Sequence, residues 1–179
     1  MEKDQESRHQ STSTSNRWWP YVRDFSLLII VIVGVTLWQT RNMLQTDGSV
    51  LIEQQNLVSL DGEVLPMLAN DRPNLVYFFA PWCTICALSI DNLEYLNPQK
   101  VNVVVIALDY SSREEVHAFV REHKVSAPVF FGHSDLKAQF QIQGYPSYYL
   151  VDANNKITSR SFGYSTAVGL KLRETFGRN

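Results

Sequence analysis

The chain has 179 residues, a formal net charge of −2 and an apolar fraction of 45%, enough for one domain of ordinary size plus a short appendage. Near-neutral charge excludes the concentrated basic face that nucleic acid requires, so no nucleic-acid partner is expected. The only two cysteines, Cys83 and Cys86, exclude a disulfide scaffold, because so short a loop removes little entropy from the unfolded chain.

In chain order, residues 1–24 read as a polar cytoplasmic tail, with Ser-Thr-Ser-Thr-Ser at 11–15 and almost nothing to bury. Phe25–Thr40 (FSLLIIVIVGVTLWQT) carries no charge. As a helix it spans about 24 Å, slightly less than the roughly 30 Å hydrocarbon core. Arg23 and Arg41 can snorkel, and Trp18, Trp19, Tyr21 and Trp38 suit the headgroup belts, so a span with slight local thinning or little tilt is expected. Lys3, Arg8, Arg17 and Arg23 precede this segment, whereas after Arg41 the next basic residue is Arg72. That bias places the N-terminus in the cytoplasm and the rest of the chain outside, as a single-pass protein of the inner membrane with a periplasmic or otherwise extracytoplasmic domain. A buried core helix fits the one-sided basic flank and the tryptophans poorly. A cleaved signal peptide lacks its small-x-small site in Gln39–Leu44. The segment therefore reads as an uncleaved signal-anchor, with residues 41–55 as linker.

Residues 56–179 alternate strand and helix. Leu57–Val64 holds a strand or two around Asp61-Gly62, and Asn74–Ala80 is an apolar run of buried-strand type. Thr84–Leu96 is expected to be helical, with Leu88, Leu93 and Leu96 facing inward and Asn97-Pro98 as the stop. Val101–Leu108 is a β-branched central strand. Ser112 and Glu115 form a capping box for a helix through Lys124, with Val116, Phe119 and Val120 on one face. Pro128–Phe131 reads as a strand and Ser134–Phe140 as a short helix. Ser147–Asp152 and Lys156–Phe162 are strands joined at Ala153-Asn154-Asn155, before a last helix over Thr166–Phe176. This order predicts an α/β fold with a central mixed sheet, parallel at first and ending in an antiparallel hairpin, flanked by helices on both faces.

Ala80-Pro81-Trp82-Cys83-Thr84-Ile85-Cys86 lies where a buried strand turns into a helix. Unpaired N–H groups and the macrodipole at such a start stabilise an anion, and Cys-x-x-Cys thiols there have pKa values of roughly 3.5–7.5 instead of about 8.5. Cys83 as thiolate would attack a disulfide, and Cys86 would resolve the mixed disulfide. A zinc site needs ligands the chain does not supply: there is no second cysteine pair, and His9, His117, His123 and His133 lack metal-ligand spacing. No metal and no cofactor are expected. His117 and His123 read as part of a solvated helix face, with a partly packed ring as the alternative for His123, and His133 as a turn residue. Gly144-Tyr145-Pro146-Ser147, opening a strand, is compatible with a cis X-Pro bond and taken alone reads as a turn.

Together, the F-F-A-P-W-C-T-I-C motif, the Gly-Tyr-Pro-Ser loop and the intervening Leu108–Gln143 segment resemble the thioredoxin superfamily. The nearest branch is that of the TlpA/ResA-like anchored thiol-disulfide oxidoreductases. The resemblance covers roughly Asn56–Asn179, and the W-W-P-Y-V-R-D flank resembles ScsD-like proteins associated with copper-stress tolerance. It implies a thioredoxin-like fold, Cys83 as nucleophile, Cys86 as resolving thiol and Pro146 as a cis-proline facing the disulfide. It also implies that the Tyr145 backbone pairs with the substrate and that Trp82 flanks the site. Three departures stand out: Ser89 replaces an acid found in many relatives, Tyr77 stands where thioredoxins bury an aspartate, and Asp91 replaces a helix-kinking proline. The expected function is reduction of disulfides in exported cysteine-containing proteins, recharged by a transmembrane donor of the DsbD type. The alternatives are an oxidase or isomerase using the same pair, a non-enzymatic copper- or thiol-binding chaperone, and, more remotely, a peroxidase.

Overall fold

The structure is a computed structural model and describes residues 18–176. Two units divide between Trp38 and Gln39. The first is dominated by helix α1, Trp19–Thr40. Within it Tyr21–Thr40, 20 residues of mean hydropathy 1.8 with none of the window buried, is long and apolar enough to cross a membrane. The helix begins six residues before the expected boundary at Phe25. Pro20 lies in the first turn, where its missing N–H costs nothing. Arg23 pairs with its neighbour Asp24 at 3.2 Å. Residues 19–24 of the stretch expected as tail are helical, and its residues 1–17 fall outside the described residues. Twenty helical residues measure about 30 Å, the thickness of a hydrocarbon core. The hydroxyls of Ser26 and Thr36 donate to carbonyls one turn back at 2.8 Å, so both are satisfied within the helix itself.

The second unit is built on a seven-stranded sheet in the order β2-β1-β5-β4-β3-β6-β7. The strands are β1 (Asn56–Ser59), β2 (Val64–Pro66), β3 (Asn74–Phe79), β4 (Asn102–Ala107), β5 (Val129–Phe131), β6 (Ser147–Val151) and β7 (Ile157–Phe162). β3, β4 and β5 run parallel, while β6 and β7 continue antiparallel from β3. The parallel run does not extend to the first strand: β1 pairs antiparallel with β5. At the β1–β2 turn Gly62 takes φ +87°, a conformation costly for any residue with a Cβ. Asn155 makes the β6–β7 turn at φ +62°, which Asn tolerates.

Side chains alternate along each strand and divide the core in two. On one face Leu75, Tyr77, Phe79, Val105, Phe131, Tyr148 and Leu150 meet α2 (Thr84–Ile90), α3 (Arg113–Glu122) and α5 (Ala167–Phe176). On the other, Val76, Phe78, Val104, Ile106, Tyr149 and Val151 meet α4 (Ser134–Gln139) through Leu136 and Phe140.

Two further expectations change. Residues 41–55 are not a free linker: Met43, Leu44 and Ile52 are buried on the second face. Arg160 Nη1 donates to the carbonyls of Met43 and Leu44, and Ile52 N donates to Asn155 O at 2.8 Å. These side chains are too apolar to leave in water, so the segment straps itself to the sheet. The Thr84–Leu96 helix becomes 3-10 over Asp91–Tyr95, and Leu88 is 64% exposed. The helical period turns Cys86, Ser89, Ile90 and Leu93 inward, which sends Ile85 and Leu88 outward.

Candidate active site

Register brings four loops to one edge of the sheet. Phe79 of β3 pairs with Ala107 of β4, Ala107 with Phe131 of β5, and Phe78 with Ser147 of antiparallel β6. The residues just beyond Phe79, Ala107 and Phe131, and just before Ser147, therefore gather where the parallel strands end. In open α/β sheets this edge is the usual place for a site.

After Phe79 the chain turns, and Cys83 caps α2. Its backbone is extended (φ −86°, ψ 106°), and its Sγ accepts a hydrogen bond from Cys86 N at 3.1 Å. Cys83 and Cys86 form a disulfide, with Cα atoms 5.2 Å apart. Cys86 is wholly buried, whereas Cys83 keeps 8% of its surface exposed, so an incoming sulfur can reach only Cys83. The pair expected from the sequence is thus joined, at a helix start, with unequal access.

The Tyr145–Pro146 bond is cis. Its loop is held from three sides: Ser147 Oγ donates to Gly144 O at 2.8 Å, Gly163 N donates to Pro146 O at 2.9 Å, and Gly144 packs closely against the Phe162 ring. A Cβ on Gly144 would come within 2.8 Å of that ring, which explains the Gly before the aromatic residue.

Trp82 is 61% exposed, and its edge meets the Tyr145 ring with centroids 5.8 Å apart. Its Nε1 donates to the carbonyl of Asp109 at 2.8 Å. Asp109, two residues past β4, adopts φ +49°. Its Oδ2 accepts from Tyr145 Oη at 2.9 Å and pairs with Lys137 Nζ. Burial raises the Asp109 carboxyl, but the bonds from Lys137 and Tyr145 outweigh it and hold the pKa below the ordinary carboxylate value. Burial, and then the hydrogen bond to Asp109, push the Tyr145 phenol up. Sequence reading found Trp82 and Tyr145 but missed Asp109 and Lys137, which belong to no motif. Their signal lies only in register, two residues beyond one parallel strand and six beyond its neighbour.

Under the disulfide two of the departures form a pair. Tyr77 Oη lies 3.2 Å from Ser89 Oγ and donates to Cys86 O at 3.3 Å, with the Tyr148 ring edge-on at 4.9 Å. Burial is the main cause that raises the Tyr77 phenol, so the group beneath Cys86 is a neutral hydroxyl. Asp91, at the end of α2, is exposed. The His123 ring meets Phe119 at a tilt, with centroids 4.5 Å apart, while the His117 ring lies 6.0 Å from that of Phe131. His133 is more than a turn residue: its Nδ1 caps α4 by accepting from Leu136 N at 3.3 Å.

A profile of the AhpC/TSA family matches residues 53–160. The thioredoxin-like protein YneN of Bacillus subtilis (strain 168) is 25% identical over 154 residues, covering 78% of this chain and 89% of YneN. The crystal structure of StoA from Bacillus subtilis superposes with a TM-score of 0.61 at 18% identity, covering 67% of this chain and 95% of StoA. A thiol:disulfide interchange protein of the thioredoxin family from Chlorobium tepidum TLS gives a TM-score of 0.62 at 19% identity, covering 70% and 94%. These likenesses establish the expected thioredoxin-like α/β fold.

Proposed function

Because this chain belongs to the AhpC/TSA family of thioredoxin-like proteins, we propose that it is a thiol-disulfide oxidoreductase working through Cys83 and Cys86. The observation that carries the reading is Cys83 Sγ at the start of α2, accepting the Cys86 N–H. That donor and the helix start favour a thiolate over a thiol.

In the reduced protein the Cys83 thiolate attacks one sulfur of a client disulfide. The client S–S bond breaks, an S–S bond to Cys83 forms, and the departing client sulfur takes up a proton. Cys86 then loses its proton and attacks Cys83 Sγ, which breaks the mixed disulfide and releases the second client thiol. Two electrons have passed to the client, and the Cys83–Cys86 disulfide of this structure remains. A neutral hydroxyl pair beneath Cys86 supplies no base, so the proton of Cys86 goes to solvent or to the departing client sulfur. Pro146 offers no N–H to compete for the approach to sulfur, the Tyr145 backbone pairs with the client, and Trp82 walls the entry.

The direction we propose is reduction of exported cysteine-containing proteins, recharged by a transmembrane dithiol donor of the DsbD type. Helix α1 anchors the chain in the inner membrane with the sheet unit on the extracytoplasmic side. Support comes from the apolar span, the basic residues preceding it and the resemblance to anchored oxidoreductases. Equilibration with glutathione tests the direction: a potential nearer about −270 mV than about −120 mV is expected, and a value at the oxidising end would overturn it. A Cys86→Ala variant should freeze mixed disulfides on Cys83, whose mass-spectrometric identification names the clients. Reporter fusions to either end of α1 test the orientation.

A further inference from the structure

Beside the disulfide one residue, Asp109, touches two neighbouring loops and helix α4. The Asp109 carboxylate takes the Tyr145 hydroxyl from the cis-proline loop and the Lys137 ammonium from α4, while its carbonyl takes the Trp82 indole from the loop before Cys83. The same groups also meet one another: the Trp82 edge packs on the Tyr145 ring, and Lys137 Nζ lies 5.9 Å from the centre of that ring. Chain separations of 27, 28 and 36 residues show that no local turn geometry produces this arrangement. Asp109 holds it from a left-handed backbone conformation, φ +49°, which is uncommon for a residue with a side chain.

We propose that Asp109 is a positioning residue that ties Trp82 and Tyr145 into one rigid ledge beside Cys83, and that this ledge selects extended polypeptide disulfides over small ones. The inference rests on the oxidoreductase reading. Two separate flexible walls would have to be ordered each time a client chain docks, and that cost would appear as weaker binding. A preformed ledge removes it. A small disulfide touches only the sulfurs and gains nothing from the ledge. Asp109 acts through its partners and touches neither sulfur nor client, so the exchange step itself is left unchanged.

Asp109→Ala, Tyr145→Phe and the double variant, each in the full chain in detergent with dithiothreitol as the electron donor that recharges the dithiol, test this with insulin and the neutral 2-hydroxyethyl disulfide as probes. Each single variant should raise KM for insulin about fivefold to tenfold, the scale of one charge-assisted hydrogen bond. For the Asp109 variant kcat should stay within about twofold, and the double variant should be no worse than the worse single. Turnover of the small disulfide by the Asp109 variant should be unchanged within about twofold. Asp109→Asn, which keeps an oxygen for Tyr145 and loses the charge facing Lys137, should fall between wild type and Asp109→Ala and serves if the alanine variant does not fold. Unchanged insulin KM, multiplicative single effects, or an equal loss on both probes would overturn the inference. Wild-type protein inert towards both probes would instead overturn the oxidoreductase reading.

Discussion

Tyr148 and Tyr149 are chain neighbours on β6, both buried, yet they serve different halves of the molecule. Tyr149 points to the second face, where its hydroxyl donates to Phe140 O at 2.7 Å and its ring joins Phe78 and Phe140. Tyr148 points to the first face, against Tyr77 and beside Ser89, under the disulfide. The pleat separates them by one residue of register. The second face is an aromatic and aliphatic core closed by the strap from Met43 to Ile52, while the first carries hydroxyls, the disulfide and the loops around it. One sheet thus assigns cohesion to one side and chemistry to the other.

That division can be broken most decisively at its extremes. Cys83→Ala should lower disulfide exchange by about 10³-fold or more, while denaturant unfolding of reduced protein moves by less than about 1 kcal/mol. Phe78→Ala, on the opposite side, should cost about 3–5 kcal/mol in the same unfolding experiment and leave the redox potential within about 30 mV of wild type. A larger shift in potential would mean that the faces are coupled.

The strap gives a smaller test. Arg160→Met removes the donor to Met43 O and Leu44 O and should cost about 1–3 kcal/mol. Limited proteolysis followed by mass spectrometry should then find cuts between residues 44 and 52 that wild type resists.

Tyr77→Phe is the smallest and sharpens the picture of the first face. It should cost about 0.5–1.5 kcal/mol near neutral pH, one buried hydrogen bond, because Ser89 keeps its bond to Ile85 O at 2.9 Å. Burial raises the Tyr77 phenol in the folded protein, whereas an unfolded tyrosine ionises near pH 10. The unfolded state therefore loses that proton first, so the stability Tyr77 contributes is complete below about pH 10 and declines above it. Unfolding midpoints measured from about pH 8 to pH 11 should fall more steeply in wild type than in Tyr77→Phe. Parallel curves would show that Tyr77 ionises normally.

Most of the fold was legible because it rests on local chemistry. An apolar run marked β3 and a β-branched run marked β4, Ser112 marked the start of α3, Asp61-Gly62 and Asn154-Asn155 marked hairpins, and the Cys83–Cys86 spacing marked the pair that is joined. The errors arose where one residue's environment depends on distant chain. Leu88 is apolar and sits in a helix, but what covers a helix face is decided by packing, and nothing covers Leu88. Residues 41–55 have linker composition around Asp47-Gly48-Ser49, yet Met43, Leu44 and Ile52 find a vacant groove on the sheet. Tyr77 and Ser89 showed in the sequence only as two missing acids. That their hydroxyls meet beneath Cys86 required β3 and α2 to pack.

By itself the sequence determined the apolar span, the strand and helix alternation and the reactive dithiol, because each is set by residues within a few positions of one another. Tertiary structure alone decided which thiol is reachable, what lies beneath the other, and how Asp109 gathers Trp82, Lys137 and Tyr145. Those facts depend on register between strands far apart in the chain, and no local pattern encodes register.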